Sequence, residues 1–370
     1  MINPHVPASR RSIDLAPIGA ALALAAIGAA VGAASPALAH DTWVITHDQE
    51  AIAHAKPLPE IFTSLGFANV SISLLALAGV IAWIVIGRTD LPDRIAARLG
   101  LPKIDTARVE PWVPVALRLG LAAMFFTAAY ALHPRLGYAI GESPVLFASD
   151  LEFRHLPGTW YGLNWIQVGL GVAFLLGIWT RVASVLLALL VLVGFWLFGV
   201  DMLAYGGVLI GTAYYLFAKG GGRLALLRDP DAVARLTDTV PPGRPQAVLR
   251  ILTGVSFLYL GILYKFLHPT YLLAGVEFYD LPLFGFPPEV FVFIVATVEV
   301  VVGILITAGV MVRPLSFVLV FAFAFFSVSM NEGVLGHSFL YGIVFALFIN
   351  GAGRWSDRAD ENRKTVAADN

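Results

Sequence analysis

The chain of 370 residues is 58% hydrophobic and 13% charged, whereas a typical soluble domain has about 25% charged residues. The net charge of −1 does not indicate binding to nucleic acid. The lack of cysteine excludes disulfides, thiolate nucleophiles, iron–sulfur clusters and cysteine-ligated zinc. Apolar runs of about 20 residues, the length that crosses a bilayer, recur without strand-like alternation. The composition therefore predicts an all-α, polytopic membrane protein that contacts the lipid bilayer.

Ten apolar segments are predicted to form helices. In chain order they are 15–39, 64–87, 112–132, 160–178, 182–200, 202–218, 247–267, 289–310, 314–330 and 336–350. The first follows Arg10 and Arg11 and ends in the small-residue pattern Ala37-Leu38-Ala39, which is typical of a signal-peptide cleavage site. Residues 1–39 are thus predicted to be a signal peptide or, alternatively, a retained N-terminal anchor helix.

The loops between these segments differ in charge. Residues 40–111 are predicted to hold an external His-rich segment, one transmembrane helix and a loop, and residues 87–108 and 219–244 carry five basic residues each. The loops on the other side carry mainly Asp and Glu. The positive-inside rule then places 88–111, 219–246 and 355–370, including a tail at 358–370, in the cytoplasm. We expect a multi-pass protein of a bacterial-type inner (cytoplasmic) membrane with its C-terminus inside.

An internal repeat divides most of the chain. Shifting "ATVEVVVGILITAGVMVRP" (296–314) back by 132 residues places it on "NWIQVGLGVAFLLGIWTRV" (164–182). The matched pairs are Gln167 with Glu299, Gly171 with Gly303, Gly177 with Gly309, Arg181 with Arg313 and, earlier, Arg118 with Arg250. The pattern predicts two tandem, parallel four-helix units, 112–228 and 246–357, with the same orientation because each has an even number of helices.

Glu299 is the charge that interrupts an otherwise apolar segment of the second unit. A carboxylate in a span costs about 2.5–3.5 kcal/mol on insertion scales, so it is expected to face a bundle interior with a partner. Arg250, or Arg118 from the first unit, is the expected partner, and Gly303 one turn away is expected to let a neighbouring helix approach closely. The alternative is a structural hydrogen bond that fixes helix register, with the arginine extending to the cytoplasmic face.

The second unit resembles the DoxX family of four-helix bacterial membrane proteins. The resemblance rests on "LRILTGVSFLYLGILYKFLHP" (249–269), "EVVVGILITAGVMVRPLS" (299–316) and the closing "GAGRWSD" (351–357). The first unit is similar more loosely, since it lacks the acid, the closing Trp and the lysine. The resemblance implies a link to quinone-coupled oxidation of small sulfur compounds or to membrane complexes that answer oxidative stress, and it transfers no set of catalytic residues.

Three functions are compatible with these features. The first is an accessory or quinone-docking subunit of a quinone-linked redox system, with the redox centre on a protein partner. The second is a non-enzymatic scaffold for an extracytoplasmic partner, and the third is a small-molecule transporter. Whether the chain is itself an enzyme stays open.

Three sets of polar residues are candidates for the site. The candidates for a quinone or proton path are Glu299, Arg250, Lys265, Arg118 and Gln167. An outer-mouth polar cluster is predicted from His133, His268, Asp201, Asn331, Glu332 and His337, with ordinary interfacial side chains as the alternative. The spacing of His40, His47 and His54 suggests a metal site, and cleavage before His40 would place an amine beside an imidazole, a pair that suits copper.

Overall fold

A computed structural model of the chain describes residues 52, 55–87, 89, 94, 98, 106–132, 144–148, 151–153, 157–329 and 338–353. Within these residues the chain is helical, and its only β-type pairings are two isolated bridges, Val145–Glu152 and Ile178–Leu227. Six helical stretches are long and apolar enough to cross a membrane: Phe67–Gly87, Thr106–Ala129, Thr180–Lys219, Arg244–Leu267, Pro288–Ala308 and Val312–Ser329. The predicted all-α membrane architecture is confirmed.

Nine of the ten predicted segments coincide with helices, and segment 15–39 lies outside the described residues. A peripheral helix comes first, α1 (Phe67–Gly87). The first unit contains α2 (Val113–Ala129), α3 (Gly162–Leu176), α4 (Thr180–Phe198) and α5 (Leu203–Lys219). The second contains α6 (Arg244–Tyr259), a π-helical segment (Leu260–Leu267), α7 (Thr270–Phe278), α8 (Pro288–Ala308), α9 (Val312–Ser329) and α10 (Ser338–Asn350). Shorter helices are Glu60–Thr63, Glu110–Trp112, Thr106–Val109, Gly158–Tyr161, Gly199–Met202 and Asp231–Arg235.

The loops alternate between two ends of the molecule because successive long helices run antiparallel. We call the end with Arg181, Lys219 and Arg313 the basic end, and the end with Glu277 and Asp280 the acidic end. At the basic end Arg181 pairs with Asp229 at 3.2 Å, and Lys219 pairs with Glu110 at 3.1 Å. α1 packs on α8 and leaves most of its apolar surface exposed, as suits a helix that faces lipid.

The two units are joined through their first and last helices. Within each unit the first long helix packs on the second and the third on the fourth. Between the units, α5 packs on α6 and α10 packs on α2. Glycines allow these contacts: a Cβ on Gly120 would lie 2.8 Å from the Ser338 carbonyl oxygen, and one on Gly207 would lie 3.1 Å from the Leu252 carbonyl oxygen.

Local backbone geometry recurs between the units at an interval of 132 residues. Left-handed residues follow α3 and α8 at equivalent places, and a serine one turn into α4 and α9 donates to the carbonyl four residues earlier. The pairs are Gly177 with Gly309 (φ 65° and 73°), Trp179 with Met311 (φ 42° and 48°) and Ser184 with Ser316 (both bonds 2.7 Å).

Two features were not predicted. Residues 269–288, which lie between the predicted segments 247–267 and 289–310, contain the helix α7. Between the predicted segments 112–132 and 160–178, residues 145–147 are inserted into the first unit and buried, and Phe147 packs on Phe125 with ring centroids 6.0 Å apart.

Candidate functional site

An ion pair lies inside the second unit, between the ammonium group of Lys265 and the carboxylate of Glu299. Glu299 is in the middle of α8, and Lys265 belongs to the π-helical segment that continues α6. The side chains are 21% and 17% exposed, so the pair is largely enclosed yet reachable. Because a lone charge in a span is costly, each group stabilises the other.

The π-helical segment sets the position of Lys265. Its eight residues, Leu260–Leu267, interrupt the α-helical ladder, and the next backbone N–H, that of His268, donates to the Leu263 carbonyl at 3.0 Å. π-Helical turns are rare and often occur at functional sites. Lys265 therefore lies on a kind of turn that is frequent at functional sites.

Glycines bring α6 and α8 into close contact beside the pair. A Cβ on Gly303 would lie 2.8 Å from the backbone nitrogen of Leu258, and one on Gly261 would lie 3.1 Å from that of Val300. The predicted close approach at Gly303 is confirmed. With the backbones this close, the side chains of Lys265 and Glu299 bridge the helices instead of reaching lipid on separate faces.

The expected pairing of Glu299 with Arg250 is wrong. Arg250 donates to the backbone carbonyls of Ile306 (2.6 Å), Thr307 and Ala352 (2.7 Å) at the basic end. It thereby satisfies carbonyls that the end of α8 leaves without an intrahelical partner. Its guanidinium lies against Gly309, ten residues along α8 from Glu299, which is about 15 Å at 1.5 Å per residue.

Side-chain direction explains this choice of partner. Helical side chains tilt toward the N-terminus of their own helix. On the antiparallel α6 and α8, Lys265 therefore leans toward the basic end and Glu299 toward the acidic end, so the two converge. Arg250 leans away from Glu299 toward the basic end.

Arg118 occupies the corresponding place in the first unit. It is 1% exposed and donates to the Leu224 carbonyl at 3.3 Å. An ideal Cβ on Gly177 would overlap its Nη1 atom, at 1.7 Å. Arg118 therefore does not reach Glu299 either, and both arginines hold chain segments at the basic end.

Gln167, the counterpart of Glu299, is fully buried and contacts the inserted loop. Its amide nitrogen donates to the Val145 carbonyl at 2.8 Å, and its amide oxygen accepts from the Phe147 backbone N–H at 2.9 Å. An amide supplies both the donor and the acceptor that a backbone segment needs, whereas a carboxylate only accepts. Gln167 is thus separate from the Lys265–Glu299 pair and binds the inserted loop of the first unit.

Of the predicted outer-mouth cluster, the structure describes only Asp201 and His268. The Asp201 carboxylate accepts a hydrogen bond from the Tyr264 hydroxyl at 3.3 Å, across the boundary between the units. His268 directly follows the π-helical segment. The other four members, His133, Asn331, Glu332 and His337, lie outside the described residues, as do the predicted metal ligands His40, His47 and His54. The part of the chain that the structure describes has no cluster of three or more metal-binding side chains.

A cavity of about 390 Å³ lies at the acidic end. Its walls are the strap Lys56–Pro59, α7 and the loop that follows α7. Lys56 and Glu277 close one side with an exposed ion pair at 2.6 Å, and Phe62, just after the strap, packs on Phe293 with centroids 5.6 Å apart. The cavity is mainly apolar, with charged groups at its rim.

Fold and site together define an α-helical, polytopic membrane protein with an ion pair enclosed in its second helical unit. The family model described as DoxX matches residues 246–331, which run from α6 to just beyond α9. The resemblance predicted for the second unit is confirmed over those residues. No curated protein and no solved structure matches the chain.

Proposed function

We propose that the chain is a membrane subunit of a quinone-linked redox system, and that a quinone or quinol binds beside Lys265 and Glu299. The observation that carries this proposal is the enclosed ion pair on the π-helical segment of the DoxX-matching region. Charges are placed inside a bilayer at a cost, and such residues mark substrate or proton pathways by default.

The pair suits the chemistry of a quinone. An ammonium group donates a hydrogen bond to a quinone carbonyl, and a carboxylate accepts one from a quinol hydroxyl. Ile262 and Val300, which are close to the pair along the chain and pack against Leu258 between α6 and α8, offer an apolar surface for the ring and tail. Reduction of a quinone takes two electrons and two protons. A redox centre on a protein partner supplies the electrons, and the two protons come from water and reach the reduced ring through the Lys265–Glu299 pair, which returns to its starting state.

This proposal includes the arrangement in the membrane. The basic end lies in the cytoplasm and the acidic end outside, in a bacterial-type inner membrane with the C-terminus inside. The two units are copies of one four-helix unit, which the recurring geometry at Gly177 and Gly309 supports. Only the second copy keeps the acid and the lysine, so each chain carries one quinone site.

Photoaffinity labelling tests the site directly. The full chain in lipid nanodiscs is illuminated with an azido-quinone, digested and mapped by mass spectrometry. We expect label within residues 258–266 or 295–303, displaced by excess unmodified quinone and strongly reduced in Glu299→Gln. Glu277→Gln is the matched control, because it makes the same change at an exposed carboxylate 60% accessible to solvent. Label that unmodified quinone does not displace, or that Glu299→Gln leaves intact, would contradict the proposal.

A second candidate is a scaffold for an extracytoplasmic partner, favoured by the cavity at the acidic end. The Lys56–Glu277 pair on its strap is exposed, and exposed pairs contribute only about 0–1 kcal/mol, so a partner segment replaces this ionic contact at little cost. Affinity purification in mild detergent separates the candidates. Loss of a co-purifying protein in Glu277→Lys, with full function retained when Lys265 and Glu299 are both neutralised, would leave only the scaffold.

A further inference from the structure

The π-helical segment that carries Lys265 is also bound to the first unit. Tyr264, the residue before Lys265, donates its hydroxyl proton to the Asp201 carboxylate at 3.3 Å. Tyr259, where α6 ends, donates to the Val200 carbonyl at 3.0 Å. The two tyrosine rings are nearly buried and meet edge-to-face with centroids 5.8 Å apart.

These contacts join the turn Gly199–Met202, between α4 and α5, to the π-helical segment. Consecutive side chains diverge around a helix axis, so Tyr264 and Lys265 leave the segment in different directions. Tyr264 points to the first unit, and Lys265 points to Glu299 on α8. The segment thus lies between two carboxylates, with Tyr264 bonded to Asp201 on one side and Lys265 paired with Glu299 on the other.

We propose that Asp201 and Tyr264 are positioning residues, through which the first unit holds the π-helical segment in the register that pairs Lys265 with Glu299. A π-helical turn is less favourable than the α-helix it replaces, so it persists where surrounding contacts hold it. The first unit, which lacks the ionic pair, supplies that contact. The inference deepens the proposed function and rests on it only for the meaning of the pair, because the geometry is independent of any quinone.

The reactivity of the Lys265 amine reports this positioning. A lysine held in an ion pair reacts slowly with acylating reagents, because the reagent needs the free amine. The full-length protein in nanodiscs is treated with a membrane-permeant succinimidyl ester, and the modification rate at Lys265 is followed by mass spectrometry. Lys56, whose side chain is 55% exposed, serves as the internal standard. Glu299→Gln gives the rate for an unpaired Lys265.

We expect Tyr264→Phe and Asp201→Ala each to raise the rate at Lys265 by about 2- to 10-fold, the range that loss of one hydrogen bond allows. Asp201→Asn retains an oxygen acceptor and is expected to stay near the wild-type rate. The double variant is expected to react no faster than Tyr264→Phe alone, because that variant already removes the bond to Asp201. Tyr215→Phe is the matched control: it removes a hydroxyl bonded to Asn350 between the units at the opposite end, and is expected to leave Lys265 unchanged.

Equal rates in wild type, Tyr264→Phe and Asp201→Ala, alongside a raised rate in Glu299→Gln, would overturn the inference. Multiplying effects in the double variant would overturn it as well, since they would mean independent, general loosening. Should Tyr264→Phe fail to reach the membrane, Asp201→Ala tests the same bond from the other side. Because the assay contains no quinone, failed photolabelling with the expected reactivity pattern would reject the proposed function alone.

Discussion

The packing of α6 on α8 makes a quantitative prediction for Gly303→Ala. The added Cβ would lie 2.8 Å from both the backbone nitrogen and the Cγ atom of Leu258, and 2.9 Å from the Gly254 carbonyl oxygen. Carbon atoms pack at about 3.5–4.0 Å, so the helices must separate by roughly 0.7 Å or more. Backbone atoms cannot swing aside, so the separation also loosens the neighbouring contacts of both helices. Overpacking of this kind costs about 1–3 kcal/mol.

Two glycines of α3 calibrate the effect. Gly169 has no atom within 4 Å of an added Cβ, so Gly169→Ala is expected to be neutral or to stabilise by up to about 1 kcal/mol through helix propensity. A Cβ on Gly171, the counterpart of Gly303, would lie 3.1–3.2 Å from ring atoms of Phe126, which can shift, and 3.3 Å from the Cβ atom of Phe125. The expected order of destabilisation is therefore Gly303→Ala, then Gly171→Ala, then Gly169→Ala.

The assay is reversible unfolding of the purified chain in mixed detergent–SDS micelles, with the free energy of unfolding compared among the three variants. We expect Gly303→Ala to fall about 1–3 kcal/mol below Gly169→Ala. Equal free energies for Gly303→Ala and Gly169→Ala would refute the close approach of α6 and α8, and with it the bridging geometry of the ion pair.

Three further predictions concern the ion pair, the inserted loop and the membrane topology. Lys265→Met alone is expected to lower the free energy of unfolding by about 2–4 kcal/mol, because it leaves the Glu299 carboxylate without its partner. Adding Glu299→Gln is expected to restore most of this loss, and additive effects of the two substitutions would contradict the ion pair. Gln167→Glu is expected to cost about 3 kcal/mol or more in the same unfolding assay, since it buries a charge and removes the donor to a loop carbonyl, and an unchanged stability would argue against the inserted loop. Single cysteines at Thr239 and Tyr279, in a chain that has no native cysteine, are expected to react with a membrane-impermeant maleimide from opposite sides of the bilayer, and labelling from one side would refute the orientation.

The sequence predicted the membrane helices well because lipid imposes a simple rule on composition. A span must be continuously apolar and must end where polar or helix-breaking residues begin. The predicted segment 289–310 corresponds to the helix Pro288–Ala308, and the predicted segment 314–330 corresponds to Val312–Ser329. The proline before one helix and the left-handed glycine after it, Gly309, fix those ends locally.

The features that the sequence did not predict depend on contacts between distant residues. The insertion of the loop at 145–147 was not predicted, because the composition of the loop does not indicate that the side chain of Gln167 binds its backbone. The helix α7 was not predicted because the segment that contains it is rich in turn-forming residues. The π-helical segment has no sequence signal of its own, since π-helical and α-helical turns use the same apolar residues.

The partner of Glu299 was the most informative error. The sequence predicts Arg250 or Arg118, arginines at equivalent positions of the two units, as the partner, and gives Lys265 only as a candidate for the same path. Recurrence, however, marks the structural role: Arg118 and Arg250 each lie at the basic end beside a left-handed glycine. The direction of side chains on antiparallel helices would have chosen Lys265.

Gln167 and Glu299 show how one position can be satisfied in two ways. Each lies on the helix that packs against the first helix of its unit, and each needs partners because it is a polar group inside a span. Gln167 meets a backbone segment, and only an amide both donates to a carbonyl and accepts from an N–H there. Glu299 meets an ammonium group on the π-helical segment, and only a carboxylate balances that charge. The inserted loop and the ionic pair are thus alternative solutions, and a unit that adopts the first has no need of a charge at this position.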